Sequence, residues 1–179
     1  KQMKKNAIVA AMGMAAVIFS GAVMAGTSSA TDSTDVTFTG SITETPCSLD
    51  AGSQGQEVKL GHIAAHVLEN EGQSSPVNFQ FNLKDCDVTT MKNVSVTFTG
   101  AADSSDSSLL ALGGGQAKGA GIAITHGDSL VKLGEATAKQ ALAKGSNTLQ
   151  FAAFLKGDGA SEVLPGDFTS VSNVTFTYE

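Results

Sequence analysis

Arginine is absent from this sequence, and all eleven of its basic residues are lysines. Three of these lysines lie within the first five residues, and the chain after residue 25 carries eight lysines and seventeen acidic residues, a net charge of −9. Such a surface repels a phosphate backbone, and it lacks the guanidinium group that most often reads base edges. We therefore expect no nucleic acid partner.

Catalytic motifs are missing as well. No Gly-x-Ser-x-Gly sequence occurs, and the glycine-rich stretch 113–121 lacks the Gly-Lys-Ser/Thr ending of a phosphate-binding loop. We interpret that stretch as a flexible loop. Asp85 and Asp87 flank Cys86, but carboxylates one residue apart on a strand need not converge on a substrate. The sequence predicts no enzyme and no cofactor.

Histidine is scarce, with only His62, His66 and His126. The first two have the spacing that places both imidazoles on one face of a helix, as in some zinc sites. However, no glutamate lies between them, and the local pattern does not predict a helix. A small exported enzyme such as a copper–zinc dismutase would need more histidines than these three. We expect surface or turn positions and no metal site.

The first 25 residues have the composition of a secretory signal peptide. A lysine-rich start precedes an uncharged stretch from Ala7 to Ala25 that ends in a small residue. We predict cleavage after Ala25, with Ala22 and Ala30 as alternative positions. An uncleaved membrane anchor would need a stretch of similar length, but the small-residue end favours removal. Cleavage leaves 154 residues, enough for one domain with a core.

Only two cysteines occur, Cys47 and Cys86. An exported chain with an even number of cysteines is typical of a protein with a disulfide, formed in an oxidising compartment. The alternative is a pair of free or metal-binding thiols, and no pair of CxxC motifs supports it. We predict a Cys47–Cys86 disulfide that stabilises the fold by roughly 4 kcal/mol.

Short runs in which apolar residues occupy every second position recur along the chain, and turn-forming residues separate them. This alternation predicts strands with one buried face. After Cys47 the predicted strands are Glu57–Leu60, Val77–Leu83, Val94–Thr99, Gly121–Thr125, Thr148–Leu155 and Val171–Tyr178. The Ala-rich segment Glu135–Ala143 is predicted as either a short helix or a loop. Many short strands predict an all-β sandwich that forms one domain over residues 47–179.

One further strand candidate, Val36–Ile42, precedes the first cysteine and follows a polar stretch. An immunoglobulin-like sandwich needs about seven strands, and only six are predicted after Cys47. We therefore expect residues 47–179 to lack a final strand and residues 26–46 to be an arm that carries the strand another copy lacks. The alternative is that Val36–Ile42 is the first strand of a complete domain, and the pattern alone does not choose between them.

A missing strand would leave apolar core residues and unpaired backbone groups exposed, and a strand from another molecule would satisfy both. The predicted donor face of the arm is Val36, Phe38, Gly40 and Ile42. Burial of its three large side chains would contribute about 5–8 kcal/mol before the cost of ordering. Because such a head-to-tail contact does not close on itself, it would propagate into a filament.

At these residues the sequence resembles the chaperone–usher fimbrial pilins, especially the major shaft subunits of type 1 fimbriae. The resemblance extends over nearly all of the chain after residue 25. It is carried by the arm, by Thr45–Ser48 around the first cysteine, by Val58–Gly61 and by the segment that ends at the second cysteine. Its most specific part is the tail, where the family has a glycine fourteenth from the C-terminus and a penultimate tyrosine. The corresponding residues here are Gly166, Val174, Phe176 and Tyr178.

The resemblance implies a six-stranded immunoglobulin-like domain without its last strand. It implies that a periplasmic chaperone lends a strand to the groove, that an outer-membrane usher catalyses its replacement, and that neighbouring pilin subunits form the fibre. The tail residues from Gly166 to Tyr178 would form the edge that pairs with the chaperone. The chain would pass through the periplasm to the cell surface and support adhesion as part of a fimbria.

One arm position departs from the family pattern. Thr34 stands two residues before Val36, the first large donor residue, at a position where the family usually has a glycine. A bulkier side chain there would affect the register in which the arm pairs with the groove. The alternatives to a shaft subunit are a minor adaptor pilin of the same kind of fibre and a self-contained secreted β-sandwich binding module. A tip adhesin would need a second domain, for which 154 residues leave no room.

Overall fold

The computed structural model describes residues 32–159 and 162–179. The predicted signal peptide and the first residues of the arm lie outside the described residues. The chain divides between Ser41 and Ile42 into two units. The described part of the first unit has no regular secondary structure, and its residues are exposed. In neither described range is there a helix long and apolar enough to cross a membrane.

The described part of the second unit contains nine strands in two antiparallel sheets. The strands are β1 (Ser48–Leu49), β2 (Val77–Cys86), β3 (Asn93–Gly100), β4 (Leu110–Ala111), β5 (Ala120–His126), β6 (Ser129–Val131), β7 (Gln140–Ala141), β8 (Gly145–Gly157) and β9 (Ser172–Tyr178). Three short 3₁₀ helices, Ala51–Ser53, Ala65–Val67 and Glu69–Glu71, lie between β1 and β2. The larger sheet has the order β1-β2-β8-β5-β4, with β6 beside β5, and the smaller has the order β7-β3-β9. The predicted all-β, immunoglobulin-like fold class is confirmed.

The core lies between the two sheets and follows the predicted alternation. Strand β8 is the centre of the larger sheet and pairs with β2 on one side and β5 on the other. Every second residue of β8 from Leu149 to Leu155 is buried, because successive side chains of a strand point to opposite faces. The smaller sheet contributes the buried side chains of Val94, Val96 and Phe98 from the facing side.

A disulfide joins the start of the sandwich to the end of β2. Cys47 immediately precedes β1, Cys86 is the last residue of β2, and both are buried in the core. The predicted pairing of the two cysteines is confirmed. The bond lies next to the short β1–β2 ladder, in which Ser48 pairs with Lys84 and Leu49 with Leu83.

Three predicted elements differ from the structure. Glu57–Leu60 is not a strand, because no neighbouring segment among the described residues forms a backbone ladder with it. Glu135–Ala143 is not helical: it contains β7, and Ala136 forms an isolated bridge with Thr97 of β3. The loop alternative for that segment was therefore nearer to the structure. Val36–Ile42 also has no regular secondary structure.

The glycine-rich stretch at 113–115 packs against the segment that precedes β9. A Cβ atom on Gly115 would lie 1.7 Å from the Asp167 carbonyl oxygen, and one on Gly113 would lie 3.1 Å from that of Thr169. The Thr169 N–H donates to the Gly113 carbonyl at 2.7 Å. Only glycine lets the two backbones approach so closely at position 115. The stretch therefore has a packing role that its sequence did not indicate.

Candidate strand-binding groove

An open groove runs between β9 and the segment Ser53–Leu60, which we call the groove wall. Its cavity has a volume of about 540 Å³. A second cavity of about 340 Å³ continues from it, and Val58 and Leu60 line both. The floor is mainly aromatic and aliphatic, and its residues are Phe79, Phe81, Phe98, Ile122, Ile124 and Phe176. The unit therefore carries a long apolar concavity between its two sheets.

Phe79 lies at the centre of the aromatic floor. Its ring centroid is 5.9 Å from that of Phe81, 6.4 Å from that of Phe98 and 5.7 Å from that of Phe151. Such edge-to-face and offset contacts are the favoured geometries of aromatic pairs. Phe79 remains half-buried although it belongs to the inward-facing set of β2, because the groove leaves its ring uncovered.

The register of β9 directs its free backbone groups into the same groove. Asn93 and Glu179 exchange two backbone hydrogen bonds, of 2.9 and 3.0 Å. In an antiparallel ladder such pairs alternate with pairs whose N–H and C=O groups point to the opposite edge. By this alternation, Val174, Phe176 and Tyr178 point their backbone groups away from β3. No strand among the described residues pairs with that edge.

The same three residues of β9 also point their side chains towards the core. Val174, Phe176 and Tyr178 are half-buried, whereas the residues between them are exposed. Burial raises the pKa of the Tyr178 phenol above its ordinary value, so that side chain stays neutral at physiological pH. The edge of β9 therefore offers uncharged side chains and unpaired backbone groups to one ligand at the same time.

The groove wall is attached to β2 by side chains instead of a backbone ladder. The Asn82 N–H donates to Ser53 Oγ at 2.8 Å, and Ser53 is 3% exposed. Gln56 Nε2 donates to the Gln80 carbonyl at 2.8 Å and to the Ser53 carbonyl at 3.3 Å. Within the described chain, no backbone–backbone hydrogen bond involves residues 55–63. The backbone of the wall is thus unpaired along the groove.

Gly166 lies at the far end of the groove and lines the second cavity. A Cβ atom there would lie 2.7 Å from the Ala117 nitrogen and 3.0 Å from the Gln116 carbonyl carbon. Two backbone hydrogen bonds between Lys118 and Leu164 hold the adjoining segments together. The glycine is therefore required by the close approach of two backbones, and it brings the segment before β9 to the groove's end.

The predicted donor residues lie in an exposed part of the chain. Phe38 is 90% exposed, and Val36 and Ile42 are exposed as well. No heavy atom outside the adjoining residues lies within 4 Å of a Cβ atom built on Gly40. The four donor positions thus lie in one exposed segment without regular secondary structure. Gly166, Val174 and Phe176 line the two cavities of the groove, and Tyr178 lies on the same face of β9.

The residues that suggested chemistry do not form a site. His62 lines the second cavity, whereas His66 lies in the 3₁₀ helix Ala65–Val67, so their spacing is not realised on one helix face. In the ranges that the structure describes, no three His, Cys, Asp or Glu residues are arranged to hold a metal. Asp87 Oδ1 accepts a hydrogen bond from the Thr89 N–H, which is a turn contact.

Ser53 and Gln56 are functional candidates that the sequence did not reveal. Each forms a side-chain hydrogen bond to the backbone of β2, more than twenty residues away. Such bonds have no fixed sequence spacing, so neither residue stands out among the nineteen serines and eight glutamines of the chain. Their role can be recognised only from the structure, in which the groove wall lies beside β2.

Comparisons with known proteins agree with this geometry. The family model described as Fimbrial protein matches residues 36–179. Fimbria A protein of Serratia marcescens is 48% identical over 146 residues, which cover 80% of this chain and 83% of that protein. Major MR/P fimbria protein of Proteus mirabilis is 36% identical over 182 residues, which cover 99% of each chain.

Two solved structures share the fold. The P pilus rod subunit PapA superposes with a TM-score of 0.68 at 27% identity, over 75% of this chain and 100% of that one. A subunit from the structure of a chaperone-usher pilus gives a TM-score of 0.75 at 28% identity, over 83% and 96%. The family match includes the predicted donor strand Val36–Ile42, the disulfide and both sides of the groove. This chain belongs to the fimbrial protein family.

Proposed function

We propose that this chain is a structural shaft subunit of a bacterial fimbria and that its groove takes up the arm of a neighbouring copy. The observation that carries the proposal is the free edge of β9, where apolar side chains and unpaired backbone groups face one groove. A strand from another molecule is the ligand that satisfies both features at once. Family membership and relatives named as fimbrial proteins support the same reading. The family is structural and not a family of enzymes.

The arm and the groove edge have matching lengths and patterns. Val36–Ile42 and β9 both contain seven residues, and seven extended residues span about 20 Å. In an extended arm, Val36, Phe38, Gly40 and Ile42 share one face, as Val174, Phe176 and Tyr178 do on β9. The three large arm side chains would contribute about 5–8 kcal/mol on burial in the groove, before ordering costs.

The open groove and the free edge of β9 also bear on how the subunit would be exported and assembled. An unoccupied groove with a free strand edge is prone to wrong pairing, so a periplasmic chaperone that fills it before assembly fits the chemistry of this subunit. An outer-membrane usher would then replace the chaperone with the next subunit's arm, and the fibre would extend outside the cell. A shaft position is preferred to a minor adaptor position because relatives of this chain are named major fimbrial subunits.

The proposal is tested with a charge on either face of the arm. Phe38→Asp would place a carboxylate in the apolar groove, whereas Thr37→Asp would place one on the opposite, solvent-facing side. Both residues are exposed in the subunit itself, so neither change removes core packing. Purified chains are compared on SDS gels without boiling. We expect a ladder of oligomers from the wild type and Thr37→Asp, and monomers from Phe38→Asp. A ladder from Phe38→Asp would refute the assignment of the donor face.

A further inference from the structure

We propose that Ser53 and Gln56 are positioning residues for strand uptake, because their side chains hold the groove wall in reach of an entering strand. This inference rests on the proposed function and names the residues that give the groove its second edge. Both residues belong to the wall and line the groove, and the role assigned to them here is to attach the wall to β2. Each acts through the wall segment that it attaches to β2.

The backbone ladder of the larger sheet stops before the wall begins. Ser48 and Leu49 pair with β2, and one further backbone bond joins the Asp50 N–H to the Asn82 carbonyl at 2.9 Å. Beyond it, the 3₁₀ helix Ala51–Ser53 and then Gly55, with a left-handed φ of 59°, turn the chain. Such turns end a ladder. The chain that follows would move away from β2 without another attachment.

Side chains supply that attachment at two consecutive points on β2. Ser53 Oγ takes the place of a backbone carbonyl and accepts from the Asn82 N–H. The Gln56 amide takes the place of a backbone N–H and donates to the Gln80 carbonyl. Asn82 and Gln80 are two residues apart, so these bonds continue the edge of β2 on which β1 pairs. They therefore act as a ladder made of side chains.

Because side chains make the attachment, the wall's own backbone groups along the groove remain available to a ligand. Residues 57–60 line the groove, and no backbone–backbone hydrogen bond within the described ranges uses their N–H and C=O groups. With the wall held in place, a strand that pairs with β9 meets a second set of free groups on its other edge. If the Gln56 bond is lost, the wall moves and the entering strand keeps only one edge.

The test measures uptake of a donor peptide by the full-length chain. The probe is a fluorescent synthetic peptide of residues 32–44, and every subunit carries Phe38→Asp so that it accepts a strand without donating one. Gln56→Ala is compared with Gln54→Ala, since Gln54 also lines the groove and is exposed but forms no side-chain hydrogen bond in the described structure. We expect Gln56→Ala to slow uptake about fivefold, the value of one ordinary hydrogen bond, and Gln54→Ala to leave the rate unchanged.

Gln56→Glu distinguishes the hydrogen bond from mere packing. At neutral pH the introduced carboxylate is only an acceptor, and it faces the Gln80 carbonyl, so uptake should be at least as slow as with Gln56→Ala. Below the ordinary glutamic acid pKa of about 4.3 the protonated group donates again. The uptake rate relative to the parent subunit should therefore recover as the pH falls through about 4 with Gln56→Glu and stay low with Gln56→Ala.

Two results would overturn the inference: equal uptake by the Gln56→Ala and Gln54→Ala subunits, or a Gln56→Glu rate whose ratio to the parent does not change with pH. Failure of the parent subunit to take up the peptide is a different result, because it refutes the proposed function itself. The unfolding midpoint of each peptide-free subunit is measured in parallel. It should be the same for Gln56→Ala and Gln54→Ala, since water can replace the amide at an exposed carbonyl.

Discussion

The ring of Phe176 on β9 meets the ring of Phe81 on β2 edge to face, with centroids 5.2 Å apart and ring planes at 82°. This contact joins the two sheets directly beneath the groove. Phe81 is buried and Phe176 is half-buried, so the pair closes the core on one side and forms the groove floor on the other. Strand β9 is therefore held by its ladder to β3 and by aromatic packing across the sandwich.

Replacement of Phe176 by alanine should remove this packing. We expect Phe176→Ala to lower the free energy of unfolding by about 2–3 kcal/mol, below the value for a fully buried phenylalanine because the ring is half-exposed. Thr175→Ala, on the solvent-facing side of the same strand, should change it by less than about 0.5 kcal/mol. Denaturant unfolding of the monomer measures both, and equal losses would contradict the assigned orientation of β9.

Gly166→Ala tests the close approach at the end of the groove. Because its Cβ would lie 2.7 Å from a backbone nitrogen, the segment before β9 must shift, which should cost about 1–3 kcal/mol of unfolding free energy. Gly52→Ala is the control, since the nearest atom to its Cβ is a carboxylate oxygen of Asp50 at 3.3 Å. Thermal melting should show a lower midpoint for Gly166→Ala alone. Identical midpoints would remove the backbone argument for this glycine.

The disulfide should be the largest single covalent contribution to stability. It links residues that are 39 positions apart, and the chain-entropy model gives about 4 kcal/mol for such a loop. We expect the double variant Cys47→Ser with Cys86→Ser to lose about this much in denaturant unfolding. The reduced wild type provides the matched comparison and should unfold at a similar denaturant concentration. A double variant as stable as the oxidised protein would contradict this account.

Asp106 should contribute to the loss of stability in acid. Hydrogen bonds from the Ser108 hydroxyl and N–H, with Lys156 nearby, hold the pKa of the Asp106 carboxyl below its ordinary value. A depressed pKa of this kind stabilises the fold above the unfolded-state value of about 3.9, and the stabilisation is lost as the pH falls through the folded-state value. Asp106→Asn should therefore lose less stability than the wild type between pH 5 and strongly acidic solution, as measured by denaturant unfolding at several pH values.

Ser108→Ala checks the cause of that effect. It removes the hydroxyl donor while keeping the carboxylate, which raises the folded-state pKa of Asp106 towards the unfolded-state value. Like Asp106→Asn, it should therefore lose less stability than the wild type between pH 5 and strongly acidic solution. If both variants lose as much stability as the wild type between pH 5 and strongly acidic solution, Asp106 does not contribute to the loss of stability in acid.

The strands that pair within the chain were predictable from their alternation. From Val77 to Leu83 on β2 and from Val174 to Tyr178 on β9 every second residue is apolar, and the same residues face the core in the structure, because a strand places alternate side chains on opposite faces. The free edge of β9 also agrees with the expectation of an unfinished sandwich. Its backbone direction was not predictable, since the pattern does not say which pairs of an antiparallel ladder exchange hydrogen bonds.

The parts that the sequence did not predict depend on contacts between distant segments. Glu57–Leu60 has a strand-like pattern, but no segment among the described residues pairs with its backbone, so the prediction of a strand there is wrong. The two-residue strands β1, β4 and β7 are too short to show any period. The side-chain bonds of Ser53 and Gln56 have no sequence signature at all.

The sequence separation of the paired strands affects how fast the chain folds. Val77 pairs with Ala153 and Val94 with Tyr178, so each central pairing must wait for chain segments that are far apart in the sequence to meet. Folds dominated by such non-local pairings form slowly, commonly in milliseconds to seconds. The two cysteines are much closer in sequence, and closing the shorter loop costs less entropy. Oxidation can therefore precede completion of both sheets and fix one corner of the sandwich while the rest is still being assembled.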